Sequence, residues 1–289
     1  MPDNPIFAVI GGSGLYNFAG LKNVQMIDVD TPFGKPSAPI AVGELTGKKI
    51  AFLARHGIGH HISPTEVNYR ANIYALKALG VEKIVSVSAC GSLREDYAPG
   101  NIVVPDQIFD FTSRRARSFF GEGMVVHIGA ADPVCKAFSS QVAEAAIAAK
   151  GTVHKGGTLI TIEGPRFSTR AESNTYRAWG MSIIGMTASP EAFLAREAEM
   201  CYAIMAHVTD YDVWHISEEP VSVEMVVRTL MNNTELAQNA IKILLENYDD
   251  TRLCDCDHAL ADAIITQRER IPAETIQKLE LLVKKYLVR

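Results

Sequence analysis

Two aspartates, Asp210 and Asp212, sit two residues apart just after the apolar run Cys201 to Val208, which reads as a buried strand. Carboxylates at that spacing can address one ligand together. A protonated acid neutralises a leaving group as its bond breaks, and a second carboxylate accepts from an amino group. Breaking an N-glycosidic bond needs such help at the departing base. The plainer reading is a helix cap or an Asx turn. Position at a strand end favours chemistry, because functional groups concentrate on loops held by a rigid scaffold.

A second set of residues suits an anion. Arg55-His56 ends the apolar run Lys49 to Ala54, and arginine offers a planar fork of donors that fits an oxyanion. Gly11-Gly12-Ser13-Gly14 ends the run Ile6 to Ile10, where backbone N–H groups and the Ser13 hydroxyl can cradle a phosphate. Ser88 closes the run Lys83 to Ser88 and leads into Ala89, and Thr187 follows Ser182 to Met186. Each has a plain counterpart, a β-turn or a surface ion pair with a satisfied histidine. Taken together, four strand ends present donors to one tetrahedral anion. The glycine turn is neither G-x-G-x-x-G nor a Walker A, so a nicotinamide or ATP site is not supported.

Two further clusters leave alternatives open. Within Thr161 to Ser168, Glu163 could accept from a sugar hydroxyl and Phe167 could cover a flat base, or Glu163 and Arg166 could form a buried pair that shapes a loop. Cys254 and Cys256 form a C-x-C, a possible redox pair or part of a metal site. Structural zinc normally takes two spaced pairs, and the sequence shows no second one, so no metal is expected. Cys135 and Cys201 could bridge separately if the fold brings them together.

The elements that must carry these residues alternate. Helices are predicted over Asn68 to Leu79, from Asp132-Pro133 to about Lys150, over Arg170 to Trp179, from Ser189-Pro190, over Ser222 to Tyr248 and over Ala273 to Leu287; Ile102 to Val104 adds a strand. Strands alternating with helices, and no Pro/Gly/Ser-rich linker, imply an α/β fold with helices on both faces of a mostly parallel sheet. Ligands in such folds bind beyond the C-terminal ends of strands. One domain over residues 1–289 is expected, with a helical extension over about 250–289. The chain has 289 residues, 47% hydrophobic, and a formal net charge of -5. Without a long basic run, nucleic acid is not an expected partner. The opening residues MPDNPIFAVIGG lack a signal-peptide pattern, and no apolar run spans a membrane, so a cytoplasmic location is expected.

The stretches GGSGLY, DTPFGKPS, ARHG with the following H-x-I-x-P-x-x-V-N-Y, SACGSLRE, TIEGPRFSTRAES and the block Met186 to Trp214 together resemble the methylthioadenosine phosphorylase family, within the purine nucleoside phosphorylases. They span about Ile10 to Val226. The resemblance implies a three-layer α/β/α fold around a mixed, barrel-like sheet, assembled as a trimer or a hexamer of paired trimers. It implies phosphate held by Ser13, Arg55, His56, Ser88, Ala89 and Thr187, with Met186 against the sugar and Phe167 and Ser168 by the base. Asp210 would act at purine N7 and Asp212 at the 6-amino group. Val223 and Val226 would wall the 5' substituent, and His127 would reach a neighbour's site. The activity implied is phosphorolysis of S-methyl-5'-thioadenosine, with inorganic phosphate as co-substrate and no cofactor. Adenosine, inosine, guanosine and methylthioinosine are alternative substrates, and a nucleoside-binding protein without turnover is an alternative class.

Overall fold

The computed structural model describes residues 4–11, 18, 20–215, 223–249, 251 and 253–287, apart from the side chains of 223 and 225–232. Ser13 lies outside the described residues, as do the side chains of Val223 and Val226.

The core strand is β11 (Cys201–Asp210), buried at every residue. Its side chains alternate. Cys201, Ala203 and Met205 enter one core with Phe7 and Val9, while Tyr202, Ile204, Ala206 and Val208 enter another with Ala8 and Ile10. A strand whose two faces both turn apolar must be covered on both sides. On the first side lie α2 (Lys136–Ala148) and α5 (Val223–Glu246), through residues such as Phe138, Val142, Ile241 and Leu245. On the other lie α1 (Tyr69–Ala78) and α4 (Ala188–Glu197), joined by the tail helices α6 (Ala273–Lys278) and α7 (Glu280–Leu287). The layers are α/β/α.

The sheet is mixed and branched. One path runs through β2 (Lys22–Ile27), β3 (Ile40–Leu45), β4 (Lys48–Ala54), β1 (Ala8–Gly11), β5 (Lys83–Ser92), β10 (Ile183–Gly185), β9 (Thr158–Ile162) and β7 (Gln107–Phe111). From β5 a branch leads to β11, then β6 (Ile102–Val104) and β8 (Val153–Lys155). β1, β4, β5 and β11 run parallel, whereas β10 meets β5 antiparallel. β5 therefore changes neighbour on one edge: Ile84 to Ser86 pair with β1, and Gly91 and Ser92 with β10.

Several boundaries differ from the sequence pattern. β5 continues to Ser92 and β11 to Asp210, because late pairing with β10 and with β5 itself holds them extended. α2 begins at Lys136, after Asp132-Pro133, because Cys135 is still extended at φ -74°, ψ 105°, with its N–H on the Tyr202 carbonyl at 2.8 Å. The tail helix divides at Leu279, a buried residue between α6 and α7. β2, β3, β7 and β8 are strands beyond those read from the sequence; β2 is almost wholly exposed, whereas β3 is largely buried. Among the described residues, no helix is long and apolar enough to cross a membrane.

Candidate active site

Arg55, just beyond β4, is the organising group at one end of the site. Its side chain is 2% exposed. Nε donates to Glu191 Oε2 at 2.7 Å, and Nη2 to Glu191 Oε1 at 2.8 Å and Ser86 Oγ at 2.7 Å. Nη1 reaches the Val87 carbonyl at 3.3 Å. Four of the five guanidinium protons are thus placed, leaving one on Nη1 for a ligand. Glu191 also accepts from Tyr202 Oη at 2.8 Å. Burial alone would lower the arginine pKa, but the Glu191 charge and hydrogen bonds outweigh it and raise it. The ion pair is buried rather than exposed at the surface. Glu191 carried no signal of its own in sequence beyond its place in a helix, 136 residues from Arg55.

His56 comes next. Its Nδ1 lies 2.9 Å from the Ile62 carbonyl, which can only accept, so Nδ1 carries the proton. Burial, then the Arg55 charge, lower its pKa to about 4. The neutral ring thus presents a bare Nε2, an acceptor suited to a protonated oxygen of a phosphate. Ser88 and Ala89 lie half-buried inside β5, not beyond its end, on the stretch where β1 has stopped pairing and β10 has not begun. Carrying the β5–β10 register onward from Ile183↔Ser92 and Ile184↔Gly91 puts Met186 level with Ala89 and Thr187 level with Ser88. Thr187 makes no side-chain cap bond to α4, so its hydroxyl is not committed to the helix. β4, β1, β5 and β10 are consecutive in the sheet. Their ends bring Arg55, His56, Ser88, Ala89 and Thr187 together at one edge.

The second end lies three residues further along β5, about 10 Å at the rise of a strand. An added Cβ on Gly91 would meet Asp210 Oδ1 and Ile184 Cγ2 at 3.0 Å and Asp212 Cβ at 3.2 Å, so glycine is what admits both aspartates. Asp210 accepts from the Asp212 N–H at 2.8 Å and pairs with Thr209 Oγ1 at 2.6 Å. Thr209 Oγ1 also reaches the Cys90 carbonyl at 3.2 Å. It can accept from a protonated Asp210 while donating to Cys90, or donate to the ionised carboxylate. Burial raises the Asp210 pKa to about 6. Asp212, held at φ 52°, is also raised by burial, partly offset by the nearby Ser173 and Ser168 hydroxyls. Asp212 Oδ2, Ser168 Oγ and Ser173 Oγ are buried close together, and none makes a well-formed hydrogen bond. Unpaired buried polar atoms are rare and costly, and one on a carboxylate with two more on the hydroxyls beside it mark a place suited to polar ligand atoms. Ser173, on α3 (Arg170–Ala178), had no sequence signal of its own. Phe167 stands 37% exposed beside Ser168.

Glu163 is a frame residue. It accepts from the Ser113 and Arg114 N–H groups, Thr65 Oγ1 and Arg115 Nε. Burial pushes its pKa up, but these donors outweigh it and hold it at about 2. Its ion partner is Arg115, not Arg166, which pairs with Glu172 at the surface. Arg115 also donates to the Met186 and Ser189 carbonyls at 2.6 and 2.7 Å, fixing the chain that carries Met186 and Thr187. Gly164, at φ 66°, leaves room for Met186, whose Sδ would lie 2.6 Å from an added Cβ. His127 is exposed, with its N–H on the Ala263 carbonyl at 2.9 Å.

The four cysteines Cys135, Cys201, Cys254 and Cys256 converge at the opposite end of β11, all as thiols. The second pair missing from local spacing is supplied by the fold, and Cys135 and Cys201 join the C-x-C rather than standing as a separate bridge.

The phosphorylase superfamily model matches residues 6–246. The fold is that of this superfamily, to which the chain belongs. It is 53% identical to S-methyl-5'-thioadenosine phosphorylase of Geobacter sulfurreducens, covering 98% of this chain and 99% of that one. It is 49% identical to the Hyperthermus butylicus protein of that name, covering 92% and 100%. A crystal structure of methylthioadenosine phosphorylase from an Antarctic soil metagenomic library superimposes with a TM-score of 0.92 at 46% identity, covering 96% of this chain and 99% of that one. Methylthioadenosine phosphorylase from Schistosoma mansoni, in complex with adenine, gives 0.83 at 37% identity, covering 90% and 98%. Within the superfamily, the chain belongs to the S-methyl-5'-thioadenosine phosphorylases.

Proposed function

We propose that the chain splits S-methyl-5'-thioadenosine with phosphate into adenine and 5-methylthioribose 1-phosphate, in purine and methionine salvage. The supporting observation is the pairing of a donor-lined edge at Ser88–Ala89 with an aspartate pair at Gly91, one nucleoside length apart on β5.

Phosphate sits under the ribose, held by Arg55, Ser13, Ser88, Thr187, the Ala89 backbone and His56 Nε2. Met186 packs on the sugar, Val223 and Val226 line the 5' pocket, and Phe167 and Ser168 flank the base. The C1'–N9 bond stretches first, giving an oxocarbenium-like sugar. Asp210 donates its proton to N7 as the base gains charge, and Asp212 accepts from the 6-amino group. Phosphate then bonds to C1' from the opposite face. Positioning and fixed charge supply most of the acceleration. The chemistry calls for no metal or organic cofactor in the site.

The domain is a single phosphorylase unit over 1–289, its tail from about 250 a helical extension. A homotrimer or homohexamer is supported by an exposed aromatic patch on the sheet edge, where Phe109, Phe111 and Trp179 are 38, 49 and 51% exposed. His127, exposed at the surface, would reach a neighbour's site. The location is cytoplasmic, and nucleic acid and membrane are not partners.

The test is adenine release from S-methyl-5'-thioadenosine with and without phosphate, with inosine in parallel. Phosphate-dependent release, inosine far slower, is the expected result. Faster inosine cleavage would overturn the aspartate assignment, and release without phosphate would make the protein a hydrolase.

A further inference from the structure

We propose that Cys135, Cys201, Cys254 and Cys256 form a tetrathiolate site for one structural zinc ion. The four Sγ atoms all lie within 4.8 Å of one another, and Cys201 Sγ is 3.5 Å from Cys254 Sγ. Tetrahedral zinc with Zn–S bonds of about 2.3 Å requires sulfur atoms about 3.8 Å apart, a value that lies between the 3.5 Å separation of Cys201 and Cys254 and the 4.8 Å bound on the whole set. Four sulfurs without nitrogen or oxygen ligands suit a soft ion in tetrahedral geometry.

Backbone geometry builds the cluster independently of any ion. The Cys135 N–H bonds to the Tyr202 carbonyl at 2.8 Å, which sets Cys135 beside Cys201 at the start of β11. Asp255, at φ -102° and ψ 17°, bends the chain so that Cys254 and Cys256 face one point. Three of the four are buried, among Phe138, Ala203 and Leu245. Four thiolates around Zn²⁺ carry a net charge of -2. Lys83 is paired in register with Cys201, is 4% exposed, and lies over the Phe138 and Tyr248 rings of the same core. Its ammonium, which also donates to the Asp249 carbonyl at 3.4 Å, puts a positive charge in the core that holds the cluster.

The ion would fasten the segment after α5 to α2 and β11, well away from Asp210 at the other end of the strand. Its contribution is therefore to stability, with closure of long loops between the ligand positions.

Protein purified under reducing conditions without chelator, then analysed for metals by mass spectrometry, should carry about one zinc per chain. Replacing zinc with cobalt should produce the intense visible absorption of a tetrahedral cobalt thiolate. Cys254→Ser with Cys256→Ser should bring zinc below about one-tenth per chain and lower the unfolding midpoint by roughly 5 °C or more, with nucleoside turnover at 25 °C unchanged. Iron in place of zinc overturns the choice of metal. Metal-free wild-type protein, its four thiols free or joined in disulfides, overturns the site itself. The wild-type measurement stands even if the double variant fails to fold.

Discussion

The two ends of the site are finished to different degrees. At the anion end, Arg55 is buried with its carboxylate partner and nearly every proton placed. At the base end, Asp212, Ser168 and Ser173 keep buried polar atoms without well-formed hydrogen bonds, and burial raises the Asp210 pKa to about 6. In the proposed reaction a tetrahedral anion is the same in every cycle, so its cradle can be rigid and almost fully bonded within the protein. The base must be chosen among similar heterocycles. Unpaired groups enforce that choice, because a wrong base leaves them unpaired.

The largest effect should come from breaking the finished end. Glu191→Gln leaves Arg55 charged in the interior without a counter-charge and should cost about 3–5 kcal/mol in unfolding free energy, measured by denaturant titration. A loss within the range of exposed pairs, below about 1 kcal/mol, would show that Arg55 is not locked as described.

Asp210→Asn should lower turnover by about 10²–10⁴-fold while leaving the fold intact, because it removes a proton donor and not a structural charge. The pH profile sharpens the assignment. The acid form of Asp210 predominates below its pKa of about 6, so kcat/KM should fall as pH rises above that value, and the Asn variant should lose this limb. The linked stability runs the same way. An acid whose folded pKa is raised stabilises fully below its ordinary 3.8, and that contribution is lost as pH rises through about 6.

The smallest effect reverses sign between the ends. Ser168→Ala deletes a buried hydroxyl without a well-formed hydrogen bond, so the free enzyme should gain up to about 1 kcal/mol of stability while KM for the nucleoside rises. Thermal unfolding with and without substrate reads both. A destabilised Ser168→Ala would mean that the base end is as internally satisfied as the anion end.

Much of the candidate site was legible along the chain. Arg55, Ser88, Thr187 and Asp210 could be picked out because each follows an apolar run, and apolar runs report strands. The Glu163 alternatives resolved toward a frame role with another partner: Arg115 lies 48 residues away, and no spacing rule links them. Glu191 and Ser173 lie inside the family stretches but had no role of their own for the same reason, each sitting in a helix whose local pattern accounts for it without a site.

The sequence by itself determined the alternation of strands and helices, the chemistry of each turn, and the family through its motifs. Those are local properties, fixed by the period of apolar residues and by turn-forming residue types over a few positions. Tertiary structure alone decided that β4, β1, β5 and β10 lie side by side, that β5 changes partners between Ser86 and Gly91, and that Cys135 and Cys201 meet Cys254 and Cys256. Strand order and such meetings are set by packing between segments tens of residues apart, where the free energy belongs to the shared core and not to either segment.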